Sequence, residues 1–209
     1  MRRTVFIIIP SLSPTGPVKG AIALANSLNA NCEVTLVSVK KGPGSSALID
    51  SQIRQVCLAE FSSSFFGKVK KYKDLLAESG GRKAVASISM CYSADFINLC
   101  CRRYAFICSS VRGNLVNIYK MDYGIAGLPF AILHLISLMG FDRVVAMSFP
   151  MAEQINFFCR KMPSVIGNFV DEAQLIKYKK KVTGKKRKAT RFVFVGSISS
   201  RKKPLLLIK

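Results

Sequence analysis

Short apolar runs rich in β-branched residues alternate along this chain with longer stretches of helical periodicity, and that alternation restricts the fold more than any other feature. Thr4–Ile9, Glu33–Val39, Ala84–Ile88, Tyr104–Cys108 and Arg143–Met147 read as strands, several of them continuously apolar. Strands of that kind are covered on both faces. Helices are expected over Val18–Leu28, Phe65–Glu78 (Ser64 as N-cap), Ala94–Arg102 and Met151–Cys159. Strands separated by helices require crossover connections, hence a parallel sheet in a doubly wound, Rossmann-like α/β domain.

Charge is the second constraint. The chain carries 32 Lys and Arg against 11 Asp and Glu, a formal net charge of +21, yet 50% of its residues are hydrophobic. The hydrophobic content excludes a disordered polyelectrolyte and predicts a packed core under a strongly basic surface. Such a field attracts polyanions. Lys177–Lys203 holds twelve of the basic residues, but its aromatics are limited to Tyr178, Phe192 and Phe194. Stacking platforms for single-stranded nucleic acid need exposed aromatics, so no specific nucleic-acid partner is expected. An anionic membrane surface fits the charge better.

The seven cysteines have no C-x-x-C spacing, and His134 is the sole histidine, so neither a metal site nor a disulfide framework is expected. A reducing, cytoplasmic setting follows. The apolar run behind Arg2 and Arg3 ends at Pro10 after six residues, too short for a secretory h-region. Gly124–Phe141 is the longest apolar stretch, eighteen residues containing Gly127, Pro129, His134 and Ser137. As a helix it would reach about 27 Å, barely the thickness of a bilayer core, and it is expected to be a core helix against the sheet.

Three loops follow strands and feed helices, the arrangement in which open α/β sheets bind ligands. The first runs from Pro10 to Gly20 and contains Gly16 and Pro17; its glycine spacing matches neither a dinucleotide fingerprint nor a Walker loop. In the second, Ser109–Asn114, Arg112 suits a phosphate and Asn114 a hydroxyl, although Arg112 could instead pair with Asp122. In the third, Gly196–Lys202, small residues let a phosphate approach the backbone and cations neutralise it; a plain basic loop would read the same.

The succession Ser109-Ser110-Val111-Arg112-Gly113-Asn114, Tyr123-Gly124, Asp142–Ser148 and Val165–Asp171 resembles the retaining GT-B glycosyltransferases of bacterial lipopolysaccharide and capsule synthesis. Val193–Ile198 and Arg201–Pro204 are similar to the opening strand and phosphate loop of that family's donor domain. The resemblance implies an acceptor-side domain over residues 1–166, a basic linker over 167–190, and the start of an incomplete donor domain over 191–209. It implies transfer of a sugar, with retention, from a nucleotide-sugar donor to a glycan or lipid-linked acceptor, at the inner face of the plasma membrane. Neither metal nor cofactor is implied beyond the nucleotide sugar.

By the same resemblance Lys202 neutralises the donor diphosphate, with Arg201, Ser197 and Gly196 beside it. Arg201 stands in for the arginine that many relatives carry where this chain has Ser197. Gly16 approaches donor or acceptor, while Pro17 replaces a second glycine and removes an amide donor. Relatives run to about twice this length, so the 209-residue chain is expected to be inactive alone. An inactive scaffold that partners a complete transferase is the alternative expectation, with a nucleic-acid-binding module a more remote one.

Overall fold

The computed structural model describes residues 3–43, 48–82, 84–168 and residue 176. Seven strands and six α-helices form the framework of the described part. In chain order they are β1 (Arg3–Ser11), α1 (Gly16–Asn29), β2 (Cys32–Lys40), β3 (Arg54–Cys57), α2 (Phe65–Glu78), β4 (Val85–Met90), α3 (Tyr92–Cys100) and β5 (Phe106–Val111). They continue with α4 (Leu115–Tyr123), α5 (Gly127–Ser137), β6 (Arg143–Ala146), α6 (Phe149–Cys159) and β7 (Ser164–Val165).

All seven strands are parallel, in the order β3-β2-β1-β4-β5-β6-β7. The expected Rossmann-like α/β class is the one observed. β1 lies at the centre, with Ile7 opposite Leu36 of β2 and Ile88 of β4. Its run Ile7-Ile8-Ile9 is wholly buried because the two faces of the sheet have separate cores. Val5, Ile7 and Ile9 pack under α1, whereas Phe6 and Ile8 face the core shared by α2 to α6. Each buried isoleucine contributes about 1.5–3 kcal/mol, so this triplet anchors both layers at once.

Helix α2 starts and stops where the sequence places it. Ser64 accepts a hydrogen bond from the Gly67 amide (3.0 Å), satisfying one of the donors a helix start leaves open. Two strands escape sequence reading. β3 (Arg-Gln-Val-Cys) and the two-residue β7 lack an apolar run, and they form because an edge already exists to receive them. The expected strand Tyr104–Cys108 is displaced. Tyr104 sits in a turn, and the strand continues through Ser109 and Ser110, which pair with Ser89 and Met90 of β4.

The apolar stretch 124–141 does not form one core helix. Gly124 takes φ 63°, a conformation that favours glycine, and the chain reverses there. α5 then folds back along α4, close enough that a Cβ on Gly127 would lie 2.1 Å from the Tyr119 carbonyl oxygen. A straight span of Leu115–Gly140 is thereby excluded, although its composition alone would cross a bilayer. Gly127, Ala131, His134 and Leu135 face inward, while Phe130, Leu133 and Ile136 are about half exposed. The expectation of a wholly buried helix is therefore corrected: only one face is buried.

Candidate functional site

Helix α1 leaves β1 toward one face of the sheet and α3 leaves β4 toward the other, so the carboxyl ends of these adjacent strands part and leave a crevice. The segments that follow the strands at this edge of the sheet include Leu12–Thr15 after β1, Cys91 after β4, Arg112–Asn114 after β5 and Ile166–Asn168 after β7.

On the β1 side, the Ser11 and Ser13 hydroxyls share a hydrogen bond of 2.8 Å, and the Thr15 amide donates to the Ser13 carbonyl at 2.7 Å. Gly16 and Pro17 form the first turn of α1. Proline is tolerated there because its missing N–H would have no intrahelical acceptor. Nothing lies within 4 Å of a Cβ position on Gly16, so its backbone is open to approach. The Thr15 side chain does not cap the helix.

On the β5 side, Arg112 reaches across. Its Nη1 donates to Asn168 Oδ1 at 2.7 Å, and the same atom would lie 3.7 Å from a Cβ on Gly20. The guanidinium thus lies close to helix α1 and bonds to the segment after β7. Burial lowers the Arg112 pKa, an effect the Cys91 thiol partly opposes, and a desolvated guanidinium attracts an anion more strongly than one in water. The acceptor at this contact, Asn168, is uncharged.

Asn114 follows in the same loop. It is the N-cap of α4, its Oδ1 accepting from the Asn117 amide (2.9 Å) and from Gln154 Nε2 (2.8 Å). Gln154 Oε1 in turn accepts from the Leu115 amide at 3.0 Å. Asn114 therefore fixes the loop that carries Arg112.

Between the two sides stands Cys91, joining β4 to α3 with φ 73°. Non-glycine residues seldom adopt this conformation, and it persists only where the surrounding packing enforces it. Burial pushes the Cys91 thiol up to about 11, helped by the Asp95 carboxylate and opposed by Arg112. The thiol is protonated at neutral pH and is no nucleophile there. No sequence signal marked Cys91, because a left-handed residue is legible only when it is glycine.

Behind Cys91 runs a buried polar chain. Tyr72 bonds to Ser87 (2.6 Å), Ser87 donates to Asn98 Oδ1 (2.6 Å), and Asn98 Nδ2 donates to Ser89 (3.1 Å). Ser89 donates to Asp95 Oδ1 at 2.6 Å, and Asp95 Oδ2 bonds to His134 Nε2 at 2.9 Å. His134 Nδ1 meets the Tyr119 hydroxyl at 3.2 Å. Every group is satisfied when Nε2–H donates to Asp95 and Nδ1 accepts from Tyr119. Asp95 and His134 are 1% and 2% exposed, so the chain clamps α2, α3, α4 and α5 to β4 without reaching solvent. His134 is a core residue, as its apolar setting implies.

Lys202, Arg201, Ser197 and Gly196 lie outside the described residues. Among the described residues, no three His, Cys, Asp or Glu side chains gather into a metal-binding group.

No protein-family model matches the sequence, and no curated protein matches it significantly. Solved structures do share its fold. One is the crystal structure of TcCGT1 in complex with UDP, at TM-score 0.53 and 12% identity, over 80% of this chain and 50% of that one. Another is a UDP-glucosyltransferase from Polygonum tinctorium capable of glucosylating indoxyl, complexed with 3,4-dichloroaniline. It matches at TM-score 0.54 and 12% identity, over 82% of this chain and 53% of that one. The chain spans about half the length of these neighbours. Its described domain has the Rossmann-like α/β fold that GT-B glycosyltransferases contain.

Proposed function

We propose that this chain supplies the acceptor-side domain of a nucleotide-sugar-dependent glycosyltransferase. The carrying observation is the switch point between β1 and β4, where Arg112 Nη1 bonds to Asn168 Oδ1 at 2.7 Å and lies close to Gly20 on α1, the helix whose first turn carries the open backbone of Gly16. A positive, partly desolvated clamp facing an open helix start suits an anionic, sugar-bearing ligand. The sharing of fold with the UDP complex of TcCGT1 and with a UDP-glucosyltransferase supports the reaction class.

In this reading the acceptor is a glycan or lipid-linked sugar, its diphosphate or acidic group held by Arg112. The donor is a nucleotide sugar whose diphosphate is met by Lys202 and Arg201, beside Gly196 and Ser197. Cations at the departing nucleotide stabilise charge that develops only as the glycosidic bond breaks, which is where electrostatic catalysis acts. Transfer proceeds with retention, in the synthesis of a surface polysaccharide.

Isothermal titration with a short-chain prenyl-diphosphate sugar tests the reading, using the wild-type chain and Arg112→Gln. Saturable binding that survives moderate salt is expected, weakened about tenfold or more by the substitution because a charge-assisted hydrogen bond is lost. Binding of every polyanion alike, abolished by salt and indifferent to Arg112→Gln, would sink it.

A further inference from the structure

The side of α5 turned away from the sheet is apolar along its whole length. Phe130, Leu133 and Ile136, three residues apart on one side of the helix, are 52%, 50% and 49% exposed. Met139, just past the helix, is 57% exposed, and Tyr123 and Ile125, at the turn before it, are 65% and 79% exposed. The helix itself carries no Lys, Arg, Asp or Glu. It cannot roll to bury this row, since its other side is pinned through His134 to Asp95 and Tyr119. Apolar surface gathered in this way marks a contact surface.

Its size suits a protein partner. At roughly 200 Å² per large side chain, those six exposures leave on the order of 700 Å² of apolar surface, close to the about 800 Å² that each partner buries in a standard interface. The charges at the two ends of the face decide which partner. At the turn, Lys120 and Asp122 are both exposed and together neutral. At the other end, Arg102 and Arg103 line a hollow with Gly140, and Asp142, the acid among them, is taken by Arg82 at 2.5 Å.

A surface of anionic lipid would repel Asp122 at the most exposed part of the face, next to Tyr123. A second copy meets no such conflict. A two-fold axis across α5 runs the two helices antiparallel, so that each arginine end faces the other copy's neutral turn and no arginine end faces another. We infer that the exposed face of α5 is the two-fold interface of a homodimer, with Leu133 near the axis and Ile125 of each copy packed toward Met139 of the other. Each copy carries a formal charge of +21, so the pair forms against long-range repulsion, and screening by salt strengthens it. This inference does not depend on the proposed reaction.

The test is sedimentation velocity of the 209-residue chain over a concentration series, at low and moderate salt. A species of twice 23.0 kDa is expected, more of it at moderate salt. Leu133→Gln/Ile136→Gln is expected to raise the dissociation constant about a hundredfold or more, because each truncated contact is lost twice in a symmetric pair. Its circular dichroism spectrum should be unchanged. Orientation is read by oxidative cross-linking in a Cys100→Ser background, which removes the exposed native thiol. Leu133→Cys should give a covalent dimer and Ile125→Cys should not. A monomer throughout the series would overturn the inference, as would a dimer that Leu133→Gln/Ile136→Gln leaves intact. Cross-linking of Ile125→Cys as readily as Leu133→Cys would contradict the antiparallel pairing. A monomer whose binding to phosphatidylcholine vesicles is lost in Leu133→Gln/Ile136→Gln would give the face to a bilayer instead.

Discussion

His134 bonds through both ring nitrogens inside a core where it is 2% exposed. Truncation to alanine would leave Asp95 buried with one carboxylate oxygen unserved, and losing a hydrogen bond to a charged group costs about 1.5–3 kcal/mol. Urea unfolding of His134→Ala should register a loss of that size; a loss under about 1 kcal/mol would mean the polar chain is not a clamp, by the same scale. Thiols make a second prediction. Burial raises the pKa of Cys91 and Cys108 to about 11 and of Cys101 to about 12, from an ordinary value of 9.0. Below about pH 9 the thiols are protonated in both states and stability is complete. Above it the unfolded chain releases protons that the folded chain retains, so stability falls as pH rises toward the folded values. Each thiol removes about 1.4 kcal/mol per pH unit in that window. Thermal melts should therefore hold steady through neutral pH and fall steeply above about pH 9; a melting temperature flat to pH 11 would contradict the burial of these groups.

The α4–α5 hairpin shows where sequence reading succeeds and where it stops. Ser64 capping and the heptad-like apolar spacing of α2 are local, so that helix is legible from end to end. The stretch 124–141 is apolar throughout and carries no period that separates an inward from an outward face. Its reversal depends on Gly124 and on Gly127 touching Tyr119, a contact between helices that composition does not encode. β3 and β7 were hidden for a related reason, their formation depending on a neighbouring edge rather than on their own residues. At the site, Arg112 is legible as a cation after a strand, but its partner Asn168 is 56 residues away and Cys91 gives no signal. Gly127→Ala tests the hairpin. A methyl group 2.1 Å from a backbone oxygen forces the helices apart. Overpacking of this kind costs about 1–3 kcal/mol, and hydrogen exchange should quicken in α4 and α5 while the amides of β1 and β2 keep their protection. Unchanged exchange in α4 and α5 would mean the helices are not in contact there.

At the scale of the whole molecule, a seven-stranded parallel sheet sets three surfaces apart: a crevice at the carboxyl edge, a basic rim at the amino edge, and an apolar helix face between them on one flank. The central claim is that the crevice at the β1/β4 switch point is the ligand site. Amide and guanidinium NMR of the isotope-labelled chain, titrated with a prenyl-diphosphate sugar, tests it most directly. The account predicts saturable shifts concentrated at Gly16, Gly20, Cys91, Arg112 and Asn168, absent in Arg112→Gln. Shifts scattered over surface lysines, with those five residues unmoved, would contradict it.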